Sequence, residues 1–517
     1  MKKNNNKIKS FFKNVVLTKK FGFFAFFGFL FTILIVMLGI KMSNKFKPSF
    51  YSYQSYMSPK NMQKISQKFD FKEFGEIAEF NKAILTNKAV AGIGSDSQSV
   101  NLIKRNALKK IDYEKIFGKG IKSPKAFLRK EIWDHLQEYD EYLKTDYWGN
   151  KFRDENGNEE TRHLWQYFLP YYSQDAIIAY NPSKINKEAK DVDFPKMVDN
   201  KAPMIDILKT LSKEGYDSWA ITNSIRDNLI YGSAYRSKLT SGSQIDDEAN
   251  GNVYSTTYEL LINNFVKLIH DGTGYSVNND KHINFKSDGL ELLNLLLNPH
   301  SKINAAIMYN GDGIDAFYSE DNFKNVANGT IRYVRPLKNL LLVDGFVINN
   351  NKSSKLDDTV YEVARQTWMS NYQRLYQVGV AKFGTDVYQT FNNPDTDENK
   401  AKLEIVFDEA IKQLAQEKEN DEAQIEKEYP DPEQRPTHFE NGYNPGFDNF
   451  NYIGYTPTNL LEYQFIYDNY FEEDEDKELE QRAKRLYRIE GEHISIKPIS
   501  DDLFSELSVY YNKLIKG

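Results

Sequence analysis

The chain has 517 residues, with 40% hydrophobic and 27% charged side chains and a mean hydropathy of −0.63, which allows sizeable folded cores and excludes a polytopic membrane protein. It contains no cysteine, which excludes disulfides, thiolate metal sites and cysteine nucleophiles. The net charge of −6 is unevenly spread, because residues 1–40 hold seven lysines and no acid, leaving 60 basic against 73 acidic side chains, a net charge of −13, in the remainder. An acidic body of this kind argues against nucleic acid as a partner.

The first predicted element is an uncharged apolar run of 20 residues, 21–40. As a helix it would be about 30 Å long, the thickness of a hydrocarbon core. The lysine excess before the run places the N-terminus in the cytoplasm. The sequence therefore predicts a cytoplasmic basic tail over residues 1–20, an uncleaved transmembrane anchor over residues 21–40, and an extracellular body at the cell membrane. A cleaved signal peptide is the alternative, although its apolar region is usually only ~7–15 residues long and ends in a small-x-small site that is missing here.

From residue 48 onward, short apolar runs alternate with helical stretches, which predicts an α/β fold. A leucine-rich helix is predicted over residues 290–297, and a last helix is predicted to begin after Ser500 as its N-cap. Residues 370–448 differ, because apolar side chains recur at helical spacing and an acidic, proline-containing tract, 417–449, follows them. We interpret this block as an exposed helical insertion with a flexible end.

Enzyme motifs are absent from the sequence. The seven histidines form no His-Glu-x-x-His pair, and no Gly-x-Ser-x-Gly elbow occurs. Residues 395–400 begin like a calcium loop but have lysine where the turn needs glycine. The prediction is that the protein is not an enzyme and has no metal and no cofactor. Acid pairs such as Asp312 and Asp315 leave a glycosidase or esterase open but without support.

Four separated stretches carry more information. They are residues 50–59 (FYSYQSYMSP) leading into 95–112; residues 169–181, with a Pro-Tyr-Tyr motif; residues 220–227, 307–312 and 342–345; and residues 453–459 (IGYTPTN). In this order they resemble the substrate-binding protein of bacterial spermidine/putrescine ABC importers. The resemblance implies a two-lobed type II periplasmic-binding-protein fold with hinge crossover strands and the ligand in the cleft. Its implied boundaries are 48–178 and 345–460 for lobe 1, which includes the insertion, and 179–344 and 461–517 for lobe 2.

The resemblance also implies a ligand site. Its expected members are an aromatic wall and two acidic anchors with polar neighbours: Tyr53, Tyr56, Tyr309 and Tyr455; Asp227 and Asp344; and Ser55, Ser95 and Asp96. Asp175 and Asp312 lie beside matched positions and are expected as compensating acids. The chain departs from the family at four positions. Ser55 and Ser224 stand where the polyamine binders have carboxylates. Leu342 replaces a wall tryptophan, and Ser97 replaces a tyrosine.

The chemistry of a polyamine explains such a site. Each ammonium is matched by a carboxylate, because charge-assisted hydrogen bonds are about twice as strong as neutral ones, and aromatic faces attract both cations and methylenes. We therefore predict a membrane-anchored solute-binding component that takes a small cation, spermidine or putrescine, to ABC permease subunits with their ATPase. The alternative is a surface enzyme or adhesin on the same scaffold, with residues 370–448 as a partner surface.

Overall fold

The computed structural model describes residues 26–33, 47–154, 156–185, 191–195, 197–236, 252–351, 354–471, 476–495 and 497–516. The chain divides into two compact units, residues 1–48 and residues 49–517. In the first unit residues 26–33 are helical, and the side chains of Phe26, Phe29 and Phe31 are exposed. The predicted basic tail and the rest of the predicted anchor lie outside the described residues. Within the described ranges, none of the helices combines the length and the apolar character that crossing a membrane requires.

The second unit is a mixed α/β structure, as the sequence predicts. Its described part contains two six-stranded sheets and a separate strand pair. The strands are β1 (Ser49–Tyr53), β2 (Asp70–Phe74), β3 (Ala89–Ser95), β4 (Leu169–Gln174), β5 (Ala176–Tyr180), β6 (Lys201–Ala202), β7 (Trp219–Thr222), β8 (Ile283–Lys286), β9 (Ala305–Tyr309), β10 (Arg332–Pro336), β11 (Lys338–Leu340), β12 (Leu342–Ile348), β13 (Thr456–Pro457) and β14 (Glu492–Ile494).

Helices fill the connections between these strands. They are α1 (Pro59–Lys68), α2 (Ile77–Leu85), α3 (Asp96–Lys104), α4 (Tyr113–Ile116), α5 (Lys130–Gln137), α6 (Met204–Lys213), α7 (Ile225–Arg236), α8 (Tyr258–Thr273), α9 (Gly289–Leu297), α10 (Asn310–Phe317), α11 (Ser319–Asn322), α12 (Ser354–Gln366), α13 (Arg374–Phe383), α14 (Tyr388–Asn392), α15 (Asp397–Glu428), α16 (Pro445–Ile453), α17 (Leu460–Asn469), α18 (Lys477–Tyr487) and α19 (Asp501–Lys516). The predicted leucine-rich helix is α9. The last helix follows Ser500, whose hydroxyl accepts a hydrogen bond from the backbone N–H of Leu503, as predicted.

The first sheet has the order β13-β4-β12-β3-β1-β2, and the second has the order β6-β10-β5-β9-β7-β8. In the first sheet β1 is parallel to β2 and β3, whereas β12 runs antiparallel to β3 and β4. In the second sheet β7 is parallel to β8 and β9, whereas β5 runs antiparallel to β9 and β10. Each parallel group is followed by a helix, so the carboxyl ends of β1, β3, β7 and β9 lead into loops or helix N-termini, which is where ligands bind in α/β sheets.

The chain passes between the sheets at two described strand connections. Asp175 alone separates β4 of the first sheet from β5 of the second. The return runs from β10 through β11 to β12. After β13 the chain leaves the first sheet again, since α18 packs on α10, α19 packs on α8, and β14 pairs in parallel with β11. The predicted lobe boundaries remain a prediction, but the sheets between which they divide the chain are present.

Residues 370–448 depart from the prediction in one respect. The predicted apolar stripe is the buried face of α15, where Val406, Ala410 and Leu414 lie at four-residue intervals. This helix continues through Glu428, twelve residues into the tract predicted to be flexible. The tract then returns to the core, where Phe439 is buried. Local composition predicts a loop here, but packing of this aromatic side chain against Phe465 of α17 overrides it.

Candidate functional site

Strand register places the first two predicted site residues side by side. Asp344 in β12 is the ladder partner of Ser95, the last residue of β3. Directly paired residues of an antiparallel ladder project to the same face. Ser95 also precedes α3, so its neighbour Asp96 is the first residue of that helix. The hydroxyl of Ser95 is buried and has no hydrogen-bond partner among the described residues. The register therefore creates a polar position beside the carboxylate of Asp344.

Asp344 is a buried carboxylate held by tyrosines. The hydroxyl of Tyr56 donates a hydrogen bond to its Oδ2 at 2.9 Å, and Tyr53 also interacts with it. Burial raises the pKa of Asp344 to about 6, although the nearby charge of Arg226 and the hydrogen bond from Tyr56 act in the opposite direction. A buried carboxylate whose pKa remains raised lacks sufficient positive charge in its surroundings.

Asp227 forms a second carboxylate–tyrosine pair, beside the second sheet. It lies in the first turn of α7, is fully buried, and accepts a hydrogen bond from the Tyr309 hydroxyl at 2.5 Å. Tyr309 is the last residue of β9, so this pair sits at the carboxyl ends of β7 and β9. Burial raises the pKa of Asp227, against the effects of Arg226, Tyr309 and Ser224.

Arg226 belongs to this site and is a residue that the sequence analysis missed. Its Nε lies 3.6 Å from Oδ1 of Asp227, and its charge also acts on Asp344 and Asp96. Burial alone would lower the pKa of this guanidinium, but its acidic neighbours raise it above the usual value. The sequence did point to this position, since Arg226 directly precedes Asp227, a predicted acidic ligand contact. Which of two adjacent helical residues faces a cleft depends on tertiary packing.

Asp312 forms the third carboxylate–phenol pair. The Tyr455 hydroxyl donates to its Oδ1 at 3.3 Å, and its Oδ2 is buried without a hydrogen-bond partner among the described residues. Burial, together with the like charge of Asp315, raises the pKa of Asp312 to about 7. The pair depends on Gly311, because a Cβ there would lie 1.9 Å from the ring of Tyr455.

The aromatic side chains form one continuous wall around Tyr56. Its ring centroid lies 5.3 Å from that of Tyr53 and 5.5 Å from that of Tyr455, and the ring of Tyr172 is 6.0 Å away. The hydroxyls of Tyr56 and Tyr455 reach different carboxylates. The wall therefore links Asp344 to Asp312.

Asp96 already has a side-chain partner, His135. Its Oδ2 lies 2.6 Å from Nε2 of His135, and Nδ1 of His135 lies 2.8 Å from the hydroxyl of Ser495. These are the components of a serine hydrolase triad, but Ser495 is only 4% exposed. We assign this chain of hydrogen bonds to a structural link between α3, α5 and the segment after β14.

Two predicted site residues lie outside this arrangement. Asp175 is fully buried, and its Oδ2 pairs with Nε of Arg335 at 2.8 Å. Its expected role as a compensating acid stays a prediction. Ser55 is exposed in a turn with φ of +53°, where its backbone N–H donates to Glu73 at 3.2 Å. The described contacts do not place the Ser55 side chain against the aromatic wall.

The remaining departures from the family are accommodated as follows. Ser224 accepts a hydrogen bond from the backbone N–H of Asp227, so it serves the start of α7. Leu342 and Ser97 are buried. Among the residues that the structure describes, no group of three histidine or acidic side chains could hold a metal ion.

The charged side chains described at this site are four aspartates and one arginine. The charge of Arg226 acts on the aspartates at positions 96, 227 and 344, whereas Asp312 accepts a hydrogen bond from Tyr455. Aromatic faces lie between the carboxylates. Among the described residues of this site, the carboxylates therefore outnumber the guanidinium of Arg226.

No family model and no curated protein matches the sequence. The chain is similar in structure to a Listeria monocytogenes protein named as a spermidine/putrescine ABC transporter, with 12% identity, a TM-score of 0.47, and 90% of this chain and 98% of that chain covered. It is also similar to a spermidine/putrescine ABC transporter substrate-binding protein of Streptococcus pneumoniae, with 14% identity, a TM-score of 0.43, and 90% and 100% covered. A eukaryotic thiaminase-I bound to 3-deazathiamin shows 8% identity, a TM-score of 0.44, and 91% and 100% covered.

Two of these structures carry the name of the family that the sequence resembles. The identities and TM-scores are low, and the third structure is an enzyme. Conclusions about a ligand therefore rest on the side chains of the cleft.

Proposed function

We propose that this protein is the membrane-anchored, extracellular solute-binding component of an ABC importer, and that its cleft binds a diamine or polyamine such as putrescine or spermidine. The protein would deliver this ligand to permease subunits that work with an ATPase. In this function the chain acts by binding and release and catalyses no reaction.

The observation that supports the proposal is the shortage of positive charge in the cleft. The carboxylates of Asp344 and Asp312 are each held by a tyrosine hydroxyl, and burial raises the pKa of both. A ligand ammonium would supply the missing charge and a charge-assisted hydrogen bond. The rings of Tyr56 and Tyr455 lie between the two acids, where methylenes and cations bind favourably. Two ammonium groups joined by an alkyl chain match this order of side chains.

Arg226 bears on the length of the ligand. Its guanidinium already acts on Asp227, Asp344 and Asp96, as a third ammonium of a longer ligand would. A built-in cation at that position favours a short diamine over a long polyamine. We therefore place putrescine ahead of spermidine as the ligand.

Calorimetric titration of the full chain in mild detergent at pH 8 tests the ligand. Putrescine, cadaverine, spermidine and spermine would be compared with glutamate as an anion. One-to-one binding that is tightest for putrescine supports the proposal. Binding of glutamate with none of the amines would contradict it and would assign the ligand contact to Arg226.

The anchor is tested separately. The apolar run 21–40 and the lysines before it support an uncleaved membrane segment. Protease added to intact cells should then degrade the body, and the mature protein should retain residues 21–40. A mature N-terminus beyond residue 40 would show a cleaved signal peptide instead, without affecting the proposed ligand.

A further inference from the structure

A second cavity lies away from the cleft, in the block formed by α15 and the chain that follows it. Its volume is about 230 Å³. The residues that line it are Leu414, Glu417 and Asp421 of α15, and His438, Tyr443, Asn444 and Phe447 of the returning segment. Three of these recur at three- or four-residue spacing on α15, so one face of this helix forms a wall of the cavity.

His438 is the unexplained group in this cavity. It is only 4% exposed, and neither ring nitrogen makes a hydrogen bond within the described part of the chain. Its Nδ1 lies 3.2 Å from Oδ2 of Asp421. Burial lowers the pKa of His438 to about 4, so the ring is neutral at physiological pH. A neutral imidazole has one acceptor nitrogen in either tautomer, and here that acceptor is unused. A buried polar atom without a hydrogen bond lowers the stability of the fold, and a ligand that donates a hydrogen bond to it would remove this cost.

The two acids of the cavity, Glu417 and Asp421, differ in their partners. Glu417 is neutralised by Arg374, which binds both of its oxygens at 2.8 Å. Asp421 lies beside the imidazole of His438 instead, and burial together with Glu417 and Glu422 raises its pKa. The charge of Lys418, which pairs with Glu422 at 3.7 Å, also acts on His438. The carboxylate of Asp421 and the unused imidazole acceptor together favour a ligand that donates hydrogen bonds and carries positive charge.

The apolar wall decides between kinds of cation. Leu414 and Phe447 are both buried, and the rings of Phe447 and His438 lie with centroids 6.0 Å apart. A cavity of this size holds a ligand of several heavy atoms, smaller than the drug-sized ligands of typical sites. A metal ion would need a third protein ligand, but Glu417 is engaged by Arg374 and the described residues form no metal-binding group of three.

We propose that this cavity is a second ligand site, for a small primary alkylammonium ion, with Asp421 as its counter-ion, His438 as a neutral acceptor, and Leu414 and Phe447 as its apolar wall. The site is independent of the cleft, because none of its lining residues belongs to the three tyrosine–aspartate pairs.

Titration of the full chain with n-butylammonium chloride tests this site. The parent and an Asp421→Asn variant would each be titrated at pH 8 in mild detergent. We expect the parent to bind the probe, with a dissociation constant of about 1 mM or tighter. The Asp421→Asn variant should bind it at least about tenfold more weakly. The matched control is Glu419→Gln, an exposed acid on the same helix, which should bind like the parent.

Thermal unfolding would show that each variant is folded. If Asp421→Asn does not fold, His438→Gln, which removes the imidazole acceptor, should weaken binding of the probe in the same way. Equal affinity in the parent and in a folded Asp421→Asn or His438→Gln variant would overturn the proposal. Failure of the parent to bind the probe at all would also overturn it. Zinc binding that is lost in His438→Gln, without binding of n-butylammonium, would replace the amine with a metal.

Discussion

Asp175 lies in the connection between β4 and β5, and Asp344 lies in β12, the strand to which the return connection leads. Both aspartates are buried, and their surroundings are opposite. Asp175 pairs with Arg335, and the guanidinium also donates to the carbonyls of Arg485 and Leu486 at 2.6 and 2.7 Å. Asp344 is hydrogen-bonded by the neutral hydroxyl of Tyr56, and burial raises its pKa to about 6. A carboxylate with its own cation holds the crossing segments together, whereas one held by tyrosines has capacity for a cation from outside.

The largest expected effect is on stability, at Asp175. Replacing Asp175 by Asn leaves the buried guanidinium of Arg335 without its counter-ion, and breaking a buried pair in this way costs about 3–5 kcal/mol. Chemical denaturation of the parent and the Asp175→Asn variant at pH 8 measures the difference in the free energy of unfolding. A loss below about 1 kcal/mol would mean that the pair is not what holds the crossings together.

The same substitution at Asp344 should change binding instead. Loss of a carboxylate that pairs with a ligand ammonium costs about 2–5 kcal/mol, and about 1.4 kcal/mol is tenfold in affinity. Asp344→Asn should therefore weaken putrescine binding roughly thirty-fold or more, measured by calorimetry. Its free energy of unfolding should not fall, because asparagine keeps the shape and avoids a buried charge.

Asp397→Asn, at the exposed start of α15, is the control for this variant and should match the parent in both measurements. Parent-like affinity in the Asp344→Asn variant would show that the cleft has been assigned to the wrong acids.

The raised pKa values predict a pH dependence of binding. Asp344 and Asp312 have pKa values of about 6 and about 7 in the ligand-free protein, and an ammonium binds the ionised form. Affinity should therefore rise with pH, by about tenfold between pH 5 and pH 7 from Asp344 alone, and level off near pH 8. Calorimetry in buffers of different ionisation enthalpy would also detect the protons released on binding. Constant affinity from pH 5 to 8 would contradict the raised pKa values.

Stability of the ligand-free protein should change in the opposite direction. A carboxyl group whose pKa is higher in the folded state than in the unfolded state contributes stability below the unfolded value of 3.8, and this contribution is lost as the pH rises through about 6 and 7. Denaturation of the Asp344→Asn variant should show a weaker decline over this range than denaturation of the parent.

The sequence predicted the aromatic and acidic members of the cleft through their order along the chain. Tyr56 and Asp344 lie 288 positions apart and Tyr309 and Asp227 lie 82 apart, yet the two members of each pair meet in the structure. Their pairing itself was not predictable, because it depends on the register of β12 against β3 and on where β9 ends beside α7. Arg226 was missed for the same reason.

Local composition failed in two other places. The resemblance implies that Asp175 is a compensating acid, since nothing near it in the sequence indicates that Arg335 of another strand pairs with it. The tract after Glu417 is predicted to be a flexible loop because it is acidic and contains proline. In the structure, contacts of Phe439 and Phe447 with Phe465 of α17 place part of it in the core. Composition describes what a segment prefers alone, and a few buried aromatic side chains are enough to change the result.

The smallest expected effect concerns Asp227, whose surroundings are intermediate between those of Asp175 and Asp344. Its carboxylate accepts a hydrogen bond from the Tyr309 hydroxyl, and Nε of Arg226 lies 3.6 Å from its Oδ1. Tyr309→Phe removes the phenolic donor but keeps the ring, and Asp227 retains its other partners. The expected loss of putrescine affinity is about 1 kcal/mol, roughly fivefold, measured by calorimetry at pH 8. Tyr309→Ala should cost more, about 1–2 kcal/mol, because the aromatic face is lost as well. A loss in Tyr309→Phe as large as that in Asp344→Asn would instead make Asp227 the main anchor and reduce Arg226 to a minor neighbour.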